Sequence, residues 1–169
     1  MSDLYTELIV KRKMTAADSI KKYLLLTATA VAAVLTLLTG LSIVFLLATI
    51  ALGVADYFVI PTLDVEFEYL YVNGELDIDK IMSKQKRKRA YSTDISELEL
   101  LAPSRSHALD YYNNQKNLKT YDFSSGAADQ VSYTMIVKKD QGLERVIFEP
   151  NDTILKDMKR VKPREVNLD

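Results

Sequence analysis

The order of apolar and polar positions divides the chain into two textures. From Tyr23 to Ala55 no charged residue occurs over thirty-three positions, and Asp56 is the one charge before Asp64. The run from Leu24 to Ile60 is mostly Leu, Ala, Val, Ile and Thr. A cleavable secretory signal has an apolar core of roughly 7–15 residues, so this run is too long to be one. As a single helix, residues 23–60 would extend about 57 Å, nearly twice a ~30 Å hydrocarbon core. Division near Thr39-Gly40-Leu41-Ser42 gives two helices of about 17 and 19 residues, each close to the thickness of a thin bilayer. Gly40 lies at the midpoint and has the backbone freedom that a turn requires. The pattern therefore predicts a transmembrane helical hairpin over 23–60, with its turn at 39–42 and Gly40 as the turn residue. Thr15-Ala16-Ala17-Asp18 reads as a capping box that opens the first helix.

After Pro61 the period changes to two. Val65, Phe67, Tyr69 and Tyr71 alternate with polar residues, as in a strand with one buried face. Asn73-Gly74 is a strong hairpin-turn signal, and Leu76, Ile78 and Ile81 continue a second strand whose other face carries Glu75, Asp77 and Asp79. Further apolar segments follow at Ile95–Leu101, Leu118–Phe123, Val131–Val137 and Val146–Phe148, separated by turn residues. Asn151-Asp152 can cap a last helix, in which Ile154, Leu155, Met158 and Val161 recur at helical spacing. About seven short strands closed by a C-terminal helix predict an α+β fold, in the form of a bent antiparallel sheet or barrel over 63–162. Residues 163–169 read as a tail and residues 1–22 as an N-terminal segment, whose first fourteen residues could form a short interfacial helix.

Charge adds an orientation. Residues 1–62 hold five Lys/Arg and four Asp/Glu, whereas residues 63–169 hold seventeen and nineteen. Lys11, Arg12, Lys13, Lys21 and Lys22 crowd the flank before the first span and the turn has no cation. The positive-inside rule then keeps the N-terminus cytoplasmic, and two spans return the C-terminus to the same side. A net charge of -1 argues against nucleic-acid binding. The chain has no cysteine and one histidine, His107, so disulfides, a Cys nucleophile and thiolate or multi-histidine metal sites are excluded. No cofactor is implied.

A few residues carry candidate chemistry. Lys84-Gln85-Lys86-Arg87-Lys88-Arg89 holds five cations in six positions. Two readings stand: contact with anionic lipid headgroups, or a solvated strand edge on which cations discourage edge-to-edge pairing. Asp56 reads either as an interfacial carboxylate or as a paired intramembrane site. Asp77 and Asp79, with Glu66 and Glu68 on the preceding strand, offer paired carboxylates without further metal ligands at recognisable spacing; a solvated face and pairing with the basic run are the structural alternatives. His107 follows two serines in a polar loop, with no nucleophile elbow.

The arrangement of strands and closing helix resembles a pleckstrin-homology-like domain. More narrowly, Glu66-Phe67-Glu68-Tyr69, Asn73 to Ile81, Lys86-Arg87-Lys88-Arg89 and Ala102-Pro103 resemble a family of small Gram-positive bacterial membrane proteins, which join a two-helix transmembrane hairpin to a bacterial PH-like domain. The resemblance implies topology and fold and adds no activity. The expected protein is a non-enzymatic, membrane-anchored interaction or scaffold protein, with the PH-like domain at the cytoplasmic face and an unidentified protein partner. The alternatives are an accessory subunit that docks through the hairpin, using Ala28, Ala32, Ala33 and Gly53 for close approach, and a membrane-bound enzyme that uses the acidic strand face.

Overall fold

The computed structural model describes residues 4–115 and 118–168. They fall into two compact units, a helical one over residues 14–65 and a β-rich one made of the residues up to 13 and those from 66 onward.

The helical unit is an antiparallel pair, α1 (Ala16–Leu38) and α2 (Ile43–Leu63). Thr15 and Asp18 form a reciprocal capping box, in which the Asp18 N–H donates to Thr15 Oγ1 (3.1 Å) and the Thr15 N–H to Asp18 Oδ2 (3.2 Å). At the other end Gly40 (φ 65°) and Leu41 (φ 64°) are both left-handed. The Leu41 N–H donates to Thr36 O (2.9 Å) and the Gly40 N–H to Leu37 O (3.3 Å), the paired bonds of a Schellman stop. Pro61 falls in the last turn of α2. Both helices are long and apolar enough to cross a membrane. No residue of α2 is buried, and in α1 only Ala32 and Thr36 are.

Among the described residues of the β-rich unit, eight strands form two four-stranded sheets. The first has the order β1 (Tyr5–Lys11), β2 (Val65–Val72), β3 (Glu75–Met82), β4 (Lys86–Asp94). β2 and β3 meet at Asn73-Gly74, both with positive φ. A Cβ at Gly74 would come within 2.8 Å of Ile95 Cγ2, so glycine is required there twice over. The second sheet has the order β5 (Leu98–Pro103), β7 (Tyr133–Lys139), β8 (Gly142–Phe148), β6 (Lys119–Asp122). β5·β7 and β7·β8 are antiparallel and β6·β8 is parallel, so the wholly antiparallel sheet expected from the sequence is corrected at β6. A short α3 (Asp110–Asn113) follows β5, and α4 (Asp152–Val161) closes the unit, with Asn151 Oδ1 accepting from the Ile154 N–H at 3.0 Å.

The core is built from the period-two residues. Tyr69, Tyr71, Ile78, Val146 and Phe148 are fully buried, and Ile154 and Met158 of α4 join them. Phe67 meets Phe123 edge to face, and Tyr69 meets Phe148 in the same way. The buried phenols are partnered: Tyr69 donates to Phe123 O (2.7 Å) and Tyr71 to Asp157 Oδ2 of α4 (2.9 Å).

Two boundaries are corrected. Of the first fourteen residues, the described ones, 4–14, contain no interfacial helix. Residues 5–11 are β1, paired antiparallel from Tyr5↔Val72 to Lys11↔Glu66. The whole helical unit is therefore inserted between two neighbouring strands. At the other end, Val166 is buried and bridges Leu101 in parallel, with the Leu101 N–H donating to Glu165 O (2.8 Å) and the Asn167 N–H to Leu101 O (2.7 Å). The open edge of β5 takes up the segment that reads in sequence as a free tail, because an unpaired edge strand leaves backbone groups unsatisfied.

Candidate functional site

Two features stand out, the seam of the helical hairpin and the β3–β4 hairpin of the first sheet. In the seam, α1 places Thr29 and Thr36 seven residues apart, and α2 places Thr49 and Asp56 seven apart. They meet in antiparallel rungs. Thr36 Oγ1 and Thr49 Oγ1 lie 3.2 Å apart, and Thr29 Oγ1 donates to Asp56 Oδ2 at 2.7 Å. Seven-residue spacing keeps a contact stripe on one face of each helix of a packed pair. Each threonine hydroxyl is also within hydrogen-bonding distance of its own helix backbone, Thr36 Oγ1 2.8 Å from Ala32 O and Thr49 Oγ1 2.9 Å from Phe45 O, so one hydroxyl donates to its backbone while the other donates across the rung. Asp56 Oδ1 is buried and has no partner among the described residues. The outward face is Leu, Ile, Val, Tyr and Phe: Leu24, Val34, Leu47, Ile50, Val54 and Phe58 are all more than half exposed. The hairpin is thus apolar outside and polar inside, the reverse of a helix pair made for water.

The β3–β4 hairpin holds the basic run. Lys84 is in the turn at φ 57°, after Ser83 at φ 47°, and Lys86, Arg87, Lys88 and Arg89 begin β4. The ladder carries a bulge between Ile78 and Asp79, so that Asp79 pairs with Arg89, Lys80 with Lys88 and Ile81 with Arg87. One face then gathers opposite charges. Arg87 pairs with Glu68 and lies 3.6 Å from Asp79; Arg89 lies 2.9 Å from Asp77 and 3.4 Å from Asp79. Glu68 and Asp79 are buried, at 2% and 6% exposure, so the carboxylate face is an Arg-covered cluster and not a solvated one. The other face gathers like charges, Lys80 directly opposite Lys88. Among the described residues, no ion pair involves Lys80, Lys84 or Lys88.

Beside the cluster is a charged hollow of about 310 Å³ bordered by Asp77, Arg89, Asp94, Glu97 and Lys139. Its groups are tied to each other. Glu97 accepts from Lys139 Nζ, from Thr93 Oγ1 (2.8 Å) and from the Asp94 N–H (3.2 Å). Burial pushes the Glu97 carboxyl up, but these three donors together outweigh it and hold the group below its ordinary value. Asp94 is held low by its hydrogen bonds from Ser96. Burial raises the phenols of Tyr69, Tyr71 and Tyr91 far above their ordinary value, as befits neutral core residues. His107 is fully at the surface, with Nδ1 3.2 Å from Asp110 Oδ2. Among the described residues, no group of three or more His, Asp and Glu is arranged to hold a metal ion.

Two sets of residues escape a reading of the sequence. Lys80 shows no signal of its own, because its partner across the strand depends on the bulge. The threonines of the seam do leave a signal, the seven-residue repeat.

A family model described as Bacterial PH-like domain (DUF6106) matches residues 2–168, the helical hairpin included. Comparison with curated proteins and with solved structures gives no match.

Proposed function

The chain belongs to this bacterial PH-like family, and on that premise we propose that it is a non-enzymatic, membrane-anchored interaction protein. The helical hairpin is the anchor, and the PH-like domain is held at the cytoplasmic face, where it meets a protein partner. The observation that carries this reading is the inverted polarity of the hairpin, with threonines and Asp56 in the seam and large apolar side chains outside. A soluble protein would cover such helices with its own core, and here they stay uncovered.

Orientation has two supports. β1 and β2 are paired strands of one sheet, so both ends of the anchor return to one domain and lie on one side of the bilayer. The cations at Lys11, Arg12, Lys13, Lys21 and Lys22 favour the cytoplasmic side. Thr29, the partner of Asp56, is seven residues past Lys22, about 10 Å along the helix. In this reading Asp56 is therefore an intramembrane carboxyl held by a threonine. The absence of catalysis is supported by the engagement of the Asp77 and Asp79 carboxylates with arginines.

Alkaline carbonate extraction of membranes tests the anchor. The protein should stay in the membrane pellet and be released only by detergent; release by carbonate would contradict the reading.

A second reading, a hairpin that docks on a partner's transmembrane helix, is favoured by a groove of about 510 Å³ bordered by Ala28, Ala32, Phe45 and Ala48. Small residues of this kind let helix backbones approach closely in lipid. Replacing Ala28 and Ala32 by Leu should release such a partner in detergent co-purification while leaving the anchor in place.

A further inference from the structure

We propose that the tip of the β3–β4 hairpin docks on the anionic headgroups of the leaflet in which the helices are anchored, with Lys80, Lys84 and Lys88 as the contacting residues. This rests on the anchoring proposed above and adds to it the surface by which the domain meets the lipid.

Strand directions supply the first argument. β1 ends at Lys11, β2 begins at Val65, β3 ends at Met82 and β4 begins at Lys86. In the order β1-β2-β3-β4, with each strand reversing the last, these four points share one end of the sheet. The turn at residues 83–85 is therefore at the end from which the chain departs for the helices and to which it returns. If the helices span the bilayer, that end of the sheet is the one held next to the headgroups.

Charge supplies the second. Side chains of successive strand residues point to opposite faces. Arg87 and Arg89 take the face of Glu68, Asp77 and Asp79 and are neutralised there. Lys80 and Lys88 share the other face, directly across from each other, with no ion pair among the described residues. Like charges directly opposite across a ladder are destabilising, and a negative surface outside the chain relieves them. The division by residue type agrees. Arginine's planar fork suits carboxylates, while lysine is a hydrated point charge on a flexible stem that suits a fluid headgroup layer. Lys84 stands at the tip itself, in the left-handed turn.

The experiment uses the full-length chain, which has no cysteine of its own. A single cysteine at Gln85, in the turn, carries an environment-sensitive fluorophore. The protein is reconstituted into phosphatidylcholine vesicles with and without phosphatidylglycerol. We expect blue-shifted emission and quenching by brominated lipid in the anionic vesicles, both reversed by high salt. Each lysine near an anionic surface should change occupancy of the docked state about fivefold, so the reporter with Lys80→Gln, Lys84→Gln and Lys88→Gln should lose the signal. Lys84→Glu alone, at an exposed turn, should weaken it and guards against misfolding of the triple variant. Protein that floats with both vesicle types but gives the same emission in each would overturn the docking and leave the anchor standing, as would an unchanged signal in the lysine variants. Protein that fails to float would overturn both.

Discussion

In the helical unit the residues turned inward are Thr29, Thr36, Thr49 and Asp56, while Leu, Ile, Val and Phe face outward. In the β-rich unit Tyr69, Tyr71, Ile78 and Phe148 are inside, while Lys84, Lys86 and Lys88 of the β3–β4 hairpin are exposed. With the helical unit in lipid, as proposed, the same physics produces both arrangements in different solvents. In water, burying apolar area is the main gain. In lipid that gain is absent, because the surroundings are as apolar as the side chains, and hydrogen bonds between helices and close packing hold the pair. A buried ionic site of the β-rich unit, Arg87 with Glu68 and Asp79, departs from the water rule. It persists because cations stand directly beside the carboxylates.

If this contrast is right, equal substitutions should act differently in the two units. The largest effect is expected at Phe148, which is fully buried. Phe148→Ala should cost about 3–5 kcal/mol, seen as loss of the near-UV signal of the β-rich unit while the helical far-UV signal in detergent is kept. Next, Val54→Arg places a charge on the outer face of α2 near the middle of the helix, where Val54 is 53% exposed. A charge on the surface of a water-soluble helix is nearly neutral, but at mid-bilayer it should cost about 2.5–3.5 kcal/mol and lower the membrane-inserted fraction. Arg87→Met should destabilise the β-rich unit by about 1–3 kcal/mol in urea unfolding. The estimate is below that for a fully enclosed pair, because Arg87 is half exposed while Glu68 is not. Thr36→Val, which removes one rung of the seam, should cost about 1 kcal/mol, read as easier helix unfolding in a denaturing-detergent titration.

The smallest effect is a pH dependence. Glu97 has its pKa lowered in the folded chain, so its contribution is present above the ordinary carboxylate range and is lost as pH falls through the lowered value. Glu97→Gln should therefore reduce stability by about 0.5 kcal/mol at neutral pH and flatten the acid side of the stability curve. An unchanged acid limb would refute that role.

What can be read from sequence follows the range of the interactions. The apolar run, the stop at Gly40, the Asn73-Gly74 turn and the alternation in β2 are local, and each is visible in a short window. β1 is not. Its partner Val72–Glu66 lies beyond the whole helical hairpin, and Leu8, Ile9 and Val10 in succession hide the period of two. The basic run shows the same limit on a finer scale. Its charge is plain in the sequence, but the bulge beside Asp79 decides which cations face the carboxylates. Without it, the one-residue shift would set Lys88 opposite Ile81 and move the arginines away from the acidic face. A single irregularity thus separates two structural arginines from the lysines beside them. The closing contact of Val166 with Leu101 is hidden in the same way, since nothing within residues 163–168 marks them as the cover of a strand edge.

The most direct test of the account is cysteine accessibility in intact cells, for which a cysteine-free chain is well suited. Ser42, at the start of α2, makes no side-chain cap bond, and Asp140 lies in the turn between β7 and β8. With a membrane-impermeant maleimide, Ser42→Cys should label from outside, whereas Asp140→Cys should label only after the membrane is opened. Labelling of Asp140→Cys in intact cells, or protection of Ser42→Cys from the outside reagent, would contradict a hairpin that crosses the bilayer twice and returns to one cytoplasmic domain.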